Sequence, residues 1–271
     1  MNRVYYIRRQ VFGAGDVFRS AEHANYKNTK DGLSQSFLRY NLSFPCSSDI
    51  MKVDRLMVFG HPQLLPLLNG NVDVYIDGTF SSAPKGFAQV LIVMVHDPQT
   101  RSFVPVSYIL MTSRKAVSYF QAFHFLISDT DFEFTPGTIT CDFEPGLVKE
   151  LRHQFPGCKI NGCLFHFKQA CRRKMLELCI PKDQISVAME RGMLDLLTVV
   201  PPSELRTKGI PYVRSILEGR CVMTKLELKK WDVFFRDYFE RQWMSPNMLH
   251  VWNLHGEDGT VTAIKSRTNN A

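Results

Sequence analysis

Residues 72–111 read VDVYIDGTFSSAPKGFAQVLIVMVHDPQTRSFVPVSYILM and carry the clearest secondary-structure signal in the chain. It holds three apolar runs rich in β-branched and aromatic residues, at 72–80, 87–96 and 103–111. Such runs are typical of buried strands, and the polar segment 97–100 between the second and third is typical of a turn. The pattern predicts an antiparallel meander of three strands.

Beyond the meander, strands and helices alternate. The sequence predicts a helix at 116–128, a strand at 139–143, a helix at 145–155, a strand at 159–165 and a basic helix at 168–179. This alternation is the pattern of parallel strands added to a mixed sheet. After Pro181 the chain reads as helical as far as residue 242, and before the meander residues 51–69 read as short helical pieces around Gly60 and Pro62.

Composition bounds the class of protein. The chain has 271 residues, of which 45% are hydrophobic and 22% are charged, so it can bury a core and is not a disordered polypeptide. No apolar run approaches the ~18 residues of a membrane span, and arginines interrupt the N-terminal apolar runs, which argues against a signal peptide. Seven cysteines in a long chain favour reduced thiols in an intracellular protein.

The positive charge is unevenly distributed. The formal net charge is +7; residues 1–145 hold 13 basic and 13 acidic side chains, whereas residues 146–271 hold 20 basic and 13 acidic ones. A one-sided basic excess favours a polyanionic partner, of which nucleic acid is the commonest. The alternative is an ordinary soluble protein with a high isoelectric point.

Two aspartates follow strand sequences. Asp77 stands at the end of VDVYI and Asp142 at the end of ITC. A carboxylate at the tip of a buried strand is costly unless it is paired or binds a metal, and converging carboxylates suit a hard divalent cation such as Mg²⁺. The alternative interpretation is that both are turn-forming aspartates.

A Cys-x2-His pair and a basic helix follow the last predicted strand. Cys163 and His166 supply two zinc ligands where a structural site needs four, so zinc is not expected; the alternative is that the pair packs and hydrogen-bonds beneath an active centre. Lys168, Arg172 and Arg173 could position a phosphate backbone; the alternative is a solvated helix face.

Several motifs occur together in a recognisable order. They are D-G-T-F at 77–80, Pro84, an aromatic helix with Tyr119-Phe120, C-D-F-E at 141–144, F-P-G-C at 155–158 and G-C-L-F-H-F at 162–167. This order resembles the transposase domain of Mutator-like elements (MULE), from about residue 54 to about residue 179.

The resemblance implies an α/β, ribonuclease-H-like fold: a mixed five-stranded sheet flanked by helices, with a mostly helical C-terminal insertion. The implied organisation is an N-terminal, partly ordered extension at 1–53, the transposase core at 54–180 and a helical insertion region at 181–271, where the core is incomplete.

The resemblance also implies a function. It makes Asp77 and Asp142 the catalytic residues and ligands of a two-metal site for Mg²⁺ or Mn²⁺, and Cys163 and His166 the residues that shape this site. It implies cleavage of a phosphodiester at the element end and transfer of the freed strand to target DNA. Its partners would be transposon ends and target DNA in the nucleus, without a membrane; a homo-oligomer is compatible with it.

The family's third acidic residue is expected a few residues beyond Asn270, past Ala271. The chain as given is therefore expected to be an inactive piece of a transposase of the DDE class, named for its Asp-Asp-Glu set. Two alternatives stay open: a non-catalytic, transposase-derived DNA-binding or regulatory protein, and an unrelated α/β binding protein whose aspartates only form turns.

Overall fold

A computed structural model of the chain describes residues 28–29, 34–46, 49–80 and 82–256. Contacts divide the chain into two compact units, Met1–Ile160 and Asn161–Ala271, each described by itself. Within the described ranges, no helix is both long enough and apolar enough to cross a membrane. The segment 268–270 and the position expected for the third acid lie outside the described residues.

Within this described part of the chain, seven strands form one mixed sheet. They are β1 (Leu38–Cys46), β2 (Asp49–Gly60), β3 (Asp73–Thr79), β4 (Gln89–Asp97), β5 (Ser102–Met111), β6 (Thr138–Cys141) and β7 (Lys159–Gly162). Their order across the sheet is β1-β2-β5-β4-β3-β6-β7. The pairs β1–β2, β2–β5, β5–β4 and β4–β3 are antiparallel, and β6 joins β3 in parallel. The carboxyl ends of β3 and β6 therefore lie at the same edge of the sheet.

The predicted meander is confirmed, because β3, β4 and β5 are antiparallel neighbours. Alternate residues of β3 and β4 are buried, and the residues between them are half-buried. This alternation follows from the pleat, which turns successive side chains to opposite faces of the sheet. Val74 and Ile76 in β3, with Leu91 and Val93 in β4, therefore share the buried face.

Two helices connect the strands of the first unit at its parallel side. Helix α1 (Ala116–Asp129) leads from β5 to β6, and helix α2 (Pro145–Gln154) follows β6. The buried residues of α1 include Tyr119, Ala122, Phe123 and Leu126, whose spacing places them on one helical face. Helix α2 has a proline at its first turn, where the missing N–H leaves no hydrogen bond unmade. Both helices begin at the edge where β3 and β6 end.

The second unit is helical after its first residues, in agreement with the prediction for the chain after Pro181. Its helices are α3 (Leu164–Glu177), α4 (Lys182–Met189), α5 (Ile210–Arg220), α6 (Lys225–Asp232), α7 (Glu240–Trp243) and α8 (Pro246–Trp252), with 3-10 turns at Leu194–Thr198 and Pro202–Glu204 and π-helical turns at Leu205–Gly209 and Val233–Phe239. Aromatic side chains form much of its core: the ring of Phe167 lies 4.9 Å from that of Trp243 and 5.2 Å from that of Trp252. The tryptophans are thus packing residues.

Two expectations about the N-terminal half need correction. The sheet has seven strands rather than the five implied by the resemblance, because β1 and β2 add a hairpin next to β5. The helical interpretation of residues 51–69 is wrong over Asp49–Gly60, which is β2; a short 3-10 helix occurs only at Leu65–Leu68. The composition of the apolar run 56–59 is compatible with a helix or with a strand. The run forms a strand because pairing with β1 and β5 buries all four of its residues.

Candidate functional site

The two aspartates lie near each other in the fold. In the parallel pair, Tyr75 of β3 lies opposite Thr140 of β6. Asp77 lies two residues further along, within β3 rather than at its tip, whereas Asp142 directly follows the end of β6 at Cys141. Adjacent strands are about 4.8 Å apart, so the backbones of the two aspartates are close together near the carboxyl end of β6.

The Asp142 carboxylate lies next to Gly78 and Gln89. A Cβ atom added at Gly78 would lie 3.5 Å from Oδ2 of Asp142 and 3.4 Å from Oε1 of Gln89. Oδ1 of Asp142 accepts a hydrogen bond of 3.1 Å from the backbone N–H of Glu144. The Asp142 carboxylate is thus held by the Glu144 N–H on one oxygen, while its other oxygen lies next to Gly78, the residue that directly follows Asp77.

The position of Asp77 is half-buried within β3, and its Oδ1 atom is inaccessible to solvent. Alternation along the strand directs the side chains of Asp77 and Gly78 to opposite faces. Asp142 approaches from the Gly78 side. The two aspartates are therefore neighbours at the sheet edge, while their convergence on one cation stays a prediction.

A buried polar pair lies beside Asp142. Gln89 and Tyr119 are each 1% exposed, and Nε2 of Gln89 donates a hydrogen bond of 2.9 Å to the Tyr119 hydroxyl. Burial raises the pKa of Tyr119 far above its usual value, and the nearby carboxylates of Glu144 and Asp142 raise it further. The hydroxyl therefore keeps its proton and remains a hydrogen-bond donor next to these carboxylates.

A cation and an exposed aromatic ring form the rim of this edge. The guanidinium of Arg114 lies 5.0 Å from the centroid of the Phe80 ring, and its Nη1 lies 3.7 Å from Oε2 of Glu144. The side chains of Arg114 and Glu144 are 49% and 27% exposed. An ion pair this long and this exposed contributes little to stability, so Arg114 is available to other anions.

Cys163 and His166, predicted to shape the site, interact with each other in the second unit. Cys163 precedes the first residue of α3. Burial raises the pKa of its thiol, but hydrogen bonds from the His166 side chain and from the backbone N–H groups of His166 and Phe165 together lower the pKa below its usual value. Their role in shaping a site stays a prediction.

The predicted DNA-contacting residues lie on α3. Nζ of Lys168 donates a hydrogen bond of 2.7 Å to the carbonyl oxygen of Met189, so this ammonium group holds two helical segments of its own unit together. Arg172 and Arg173 are exposed. Their contact with DNA stays a prediction.

Sequence reasoning missed Gln89, Tyr119, Phe80 and Arg114 as site residues. Gln89 had a usable signal, because an amide inside the apolar run 87–95 needs a hydrogen-bonding partner when it is buried. Arg114 had none, since its position over Phe80 depends on how the start of α1 meets the end of β3.

The fold and the site together define an α/β domain with paired acidic residues at the carboxyl edge of a mixed sheet. Residues 74–170 match the model of the MULE transposase domain family. The match runs from β3 into α3 and includes Asp77, Asp142, Cys163 and His166. It confirms the resemblance, indicates a transposase-related role and implies interaction with DNA. No curated protein matches the chain.

Proposed function

We propose that the chain carries the catalytic domain of a MULE-type transposase, of ribonuclease-H-like ancestry, which cleaves DNA strands and transfers them during transposition with the help of a divalent cation. The observation that carries the proposal is the position of two aspartates inside the matched region: Asp77 lies within β3, and Asp142 directly follows the neighbouring parallel strand β6, with its carboxylate next to Gly78. DNA at transposon ends and targets, contact of Lys168, Arg172 and Arg173 with its backbone, and a nuclear location belong to the same proposal.

Asp77 and Asp142 are oxygen donors of the kind that a hard cation takes as part of its ligand set. The Asp142 carboxylate lies next to Gly78, the residue that follows Asp77. Among the residues that the structure describes, no three His, Cys, Asp or Glu side chains converge on a common metal position. Mg²⁺ commonly binds through one or two carboxylates and keeps waters and substrate phosphates as its other ligands, so the proposal is that these two aspartates bind it together with water and DNA phosphates.

The chain's own groups orient the carboxylates. The backbone N–H of Glu144 holds Oδ1 of Asp142, which leaves Oδ2 directed toward the Gly78 backbone. Tyr119, kept neutral by burial, can donate a hydrogen bond to a carboxylate oxygen. When bound, Mg²⁺ or Mn²⁺ would stabilise the negative charge that develops on the phosphate during cleavage.

Nicking of supercoiled plasmid DNA in Mg²⁺ or Mn²⁺ tests this proposal. We expect a version of the chain that extends through the third acidic residue to nick the plasmid, and Asp77→Asn or Asp142→Asn in that version to abolish nicking. Asp97→Asn is the matched control: Asp97 lies at the opposite edge of the sheet, where its two carboxylate oxygens accept hydrogen bonds from Gln99 and Thr100, and asparagine retains one of these two acceptors.

Nicking that persists in Asp77→Asn would contradict the proposed role of this residue. An extended chain that contains the third acidic residue and binds DNA but never nicks it would instead support the second interpretation, a non-catalytic DNA-binding or regulatory derivative of a transposase.

A further inference from the structure

Phe80 is a large aromatic side chain left exposed beside the candidate site. It directly follows β3, three residues after Asp77, and 48% of it is exposed. Other aromatic residues are exposed as well, and Phe132 is one of them at 69%. Phe80 differs from Phe132 in its surroundings, because a guanidinium lies over its ring and the aspartate pair lies at the same sheet edge.

Arg114 is held in place at this edge without being neutralised in a tight pair. Its guanidinium lies 5.0 Å from the Phe80 centroid, and its nearest carboxylate oxygen, on Glu144, is 3.7 Å away. Half of its side chain is exposed to solvent. A planar guanidinium can bind two phosphate oxygens at once, and it can also stack on an aromatic face.

We propose that Phe80 and Arg114 form a nucleotide subsite: the ring stacks on an unpaired base of DNA, and the guanidinium binds the phosphate next to that base. The inference rests on the proposed function, because it places this nucleotide beside the phosphodiester that Asp77 and Asp142 would act on. It specifies the substrate as DNA with an unstacked nucleotide at the reacting position.

The geometry favours an unpaired base over a paired one. A base inside a duplex has both faces covered by its neighbours, so an aromatic side chain stacks only on a base that is frayed, flipped or single-stranded. Arg114 covers one part of the ring, and the exposed half of Phe80 remains available for a base. Glu144, with Oε2 3.7 Å from the guanidinium, limits the attraction of the subsite for other anions.

Binding of a short DNA duplex with one unpaired 2-aminopurine nucleotide tests the subsite. The assay measures the quenching of 2-aminopurine fluorescence in EDTA, so that binding is observed without cleavage. Loss of one base–aromatic stack weakens binding about tenfold, and we expect this from Phe80→Leu but not from Phe80→Tyr. Phe132→Leu is the matched control, because it removes an exposed ring at the other end of α1.

Arg114 and Glu144 provide two further tests with opposite signs. Arg114→Gln should reduce the slope of log affinity against log salt concentration by about one, the effect of one lost phosphate contact. Glu144→Gln should strengthen binding, because it frees Arg114 and removes a negative charge near the phosphate.

The subsite is overturned if Phe80→Leu leaves quenching unchanged, if Phe80→Leu and Phe132→Leu weaken binding equally, or if a fully paired duplex binds as tightly as the probe. These outcomes are independent of plasmid nicking. A chain that nicks DNA but shows no dependence on Phe80 refutes only the subsite, whereas a chain that quenches the probe through Phe80 but never nicks refutes only the proposed catalysis.

Discussion

The hydrogen bond between Gln89 and Tyr119 lies beside the candidate site, and its removal has a definite cost. In Tyr119→Phe, Nε2 of Gln89 loses an acceptor at 2.9 Å and keeps only the sulfur of Met111 at 3.3 Å. Because Gln89 is 1% exposed, water cannot replace the acceptor without a rearrangement. A buried polar group left unsatisfied costs about 1–3 kcal/mol of unfolding free energy. Urea denaturation followed by circular dichroism measures this loss.

A second substitution separates the hydrogen bond from other effects of the change. Replacing Gln89 with Met as well as Tyr119 with Phe removes both polar partners and leaves two apolar side chains of similar shape. We expect the double variant to be more stable than Tyr119→Phe alone, with a coupling free energy of about 0.5–3 kcal/mol. Strictly additive substitutions, or a loss below about 0.5 kcal/mol in Tyr119→Phe, would refute the reasoning.

Three other predictions concern parts of the chain away from this pair. Burial raises the pKa of Tyr75 to about 12; the unfolded tyrosine ionises near 10, so stability should fall as pH rises from about 10 to about 12, and Tyr75→Phe should reduce this fall in alkaline denaturation. His166→Ala should slow alkylation of Cys163 near neutral pH, measured by mass spectrometry, because the hydrogen bond from His166 helps to lower the thiol pKa; an unchanged rate would contradict this. Arg39→Met should cost about 1–3 kcal/mol in a thermal or urea unfolding experiment, because it removes the bidentate partner of Asp129, whose side chain is 5% exposed.

The sequence predicted the elements whose burial pattern is local. Strands β3, β4 and β5 are apolar nearly throughout, and helix α2 begins with a proline. These four elements are therefore recognisable from the sequence alone. Strand β1 was missed although Leu38, Tyr40, Leu42 and Phe44 alternate with polar residues, the pattern of an exposed edge strand. Strand β2 was misread because its central apolar run has no period that separates helix from strand.

The candidate site was predictable only in part, for a similar reason. An aspartate that directly follows a strand sequence is visible in the chain, so Asp77 and Asp142 could be proposed from order alone. Gln89 and Tyr119 are 30 residues apart, and only the packing of α1 on the sheet brings them together. The contact of Arg114 with Phe80 likewise depends on tertiary structure.

Titration of the chain with Mn²⁺, followed by calorimetry, tests most directly whether Asp77 and Asp142 act as one cation site. We predict that the unaltered chain binds Mn²⁺ and that Asp77→Asn and Asp142→Asn each weaken this binding at least about tenfold. The double variant should have the same Mn²⁺ affinity as the single variant that binds Mn²⁺ more weakly. Asp97→Asn should bind Mn²⁺ like the unaltered chain. The account would be contradicted if either single variant bound Mn²⁺ as tightly as the unaltered chain. It would also be contradicted if the losses of binding free energy in the two single variants added up in the double variant.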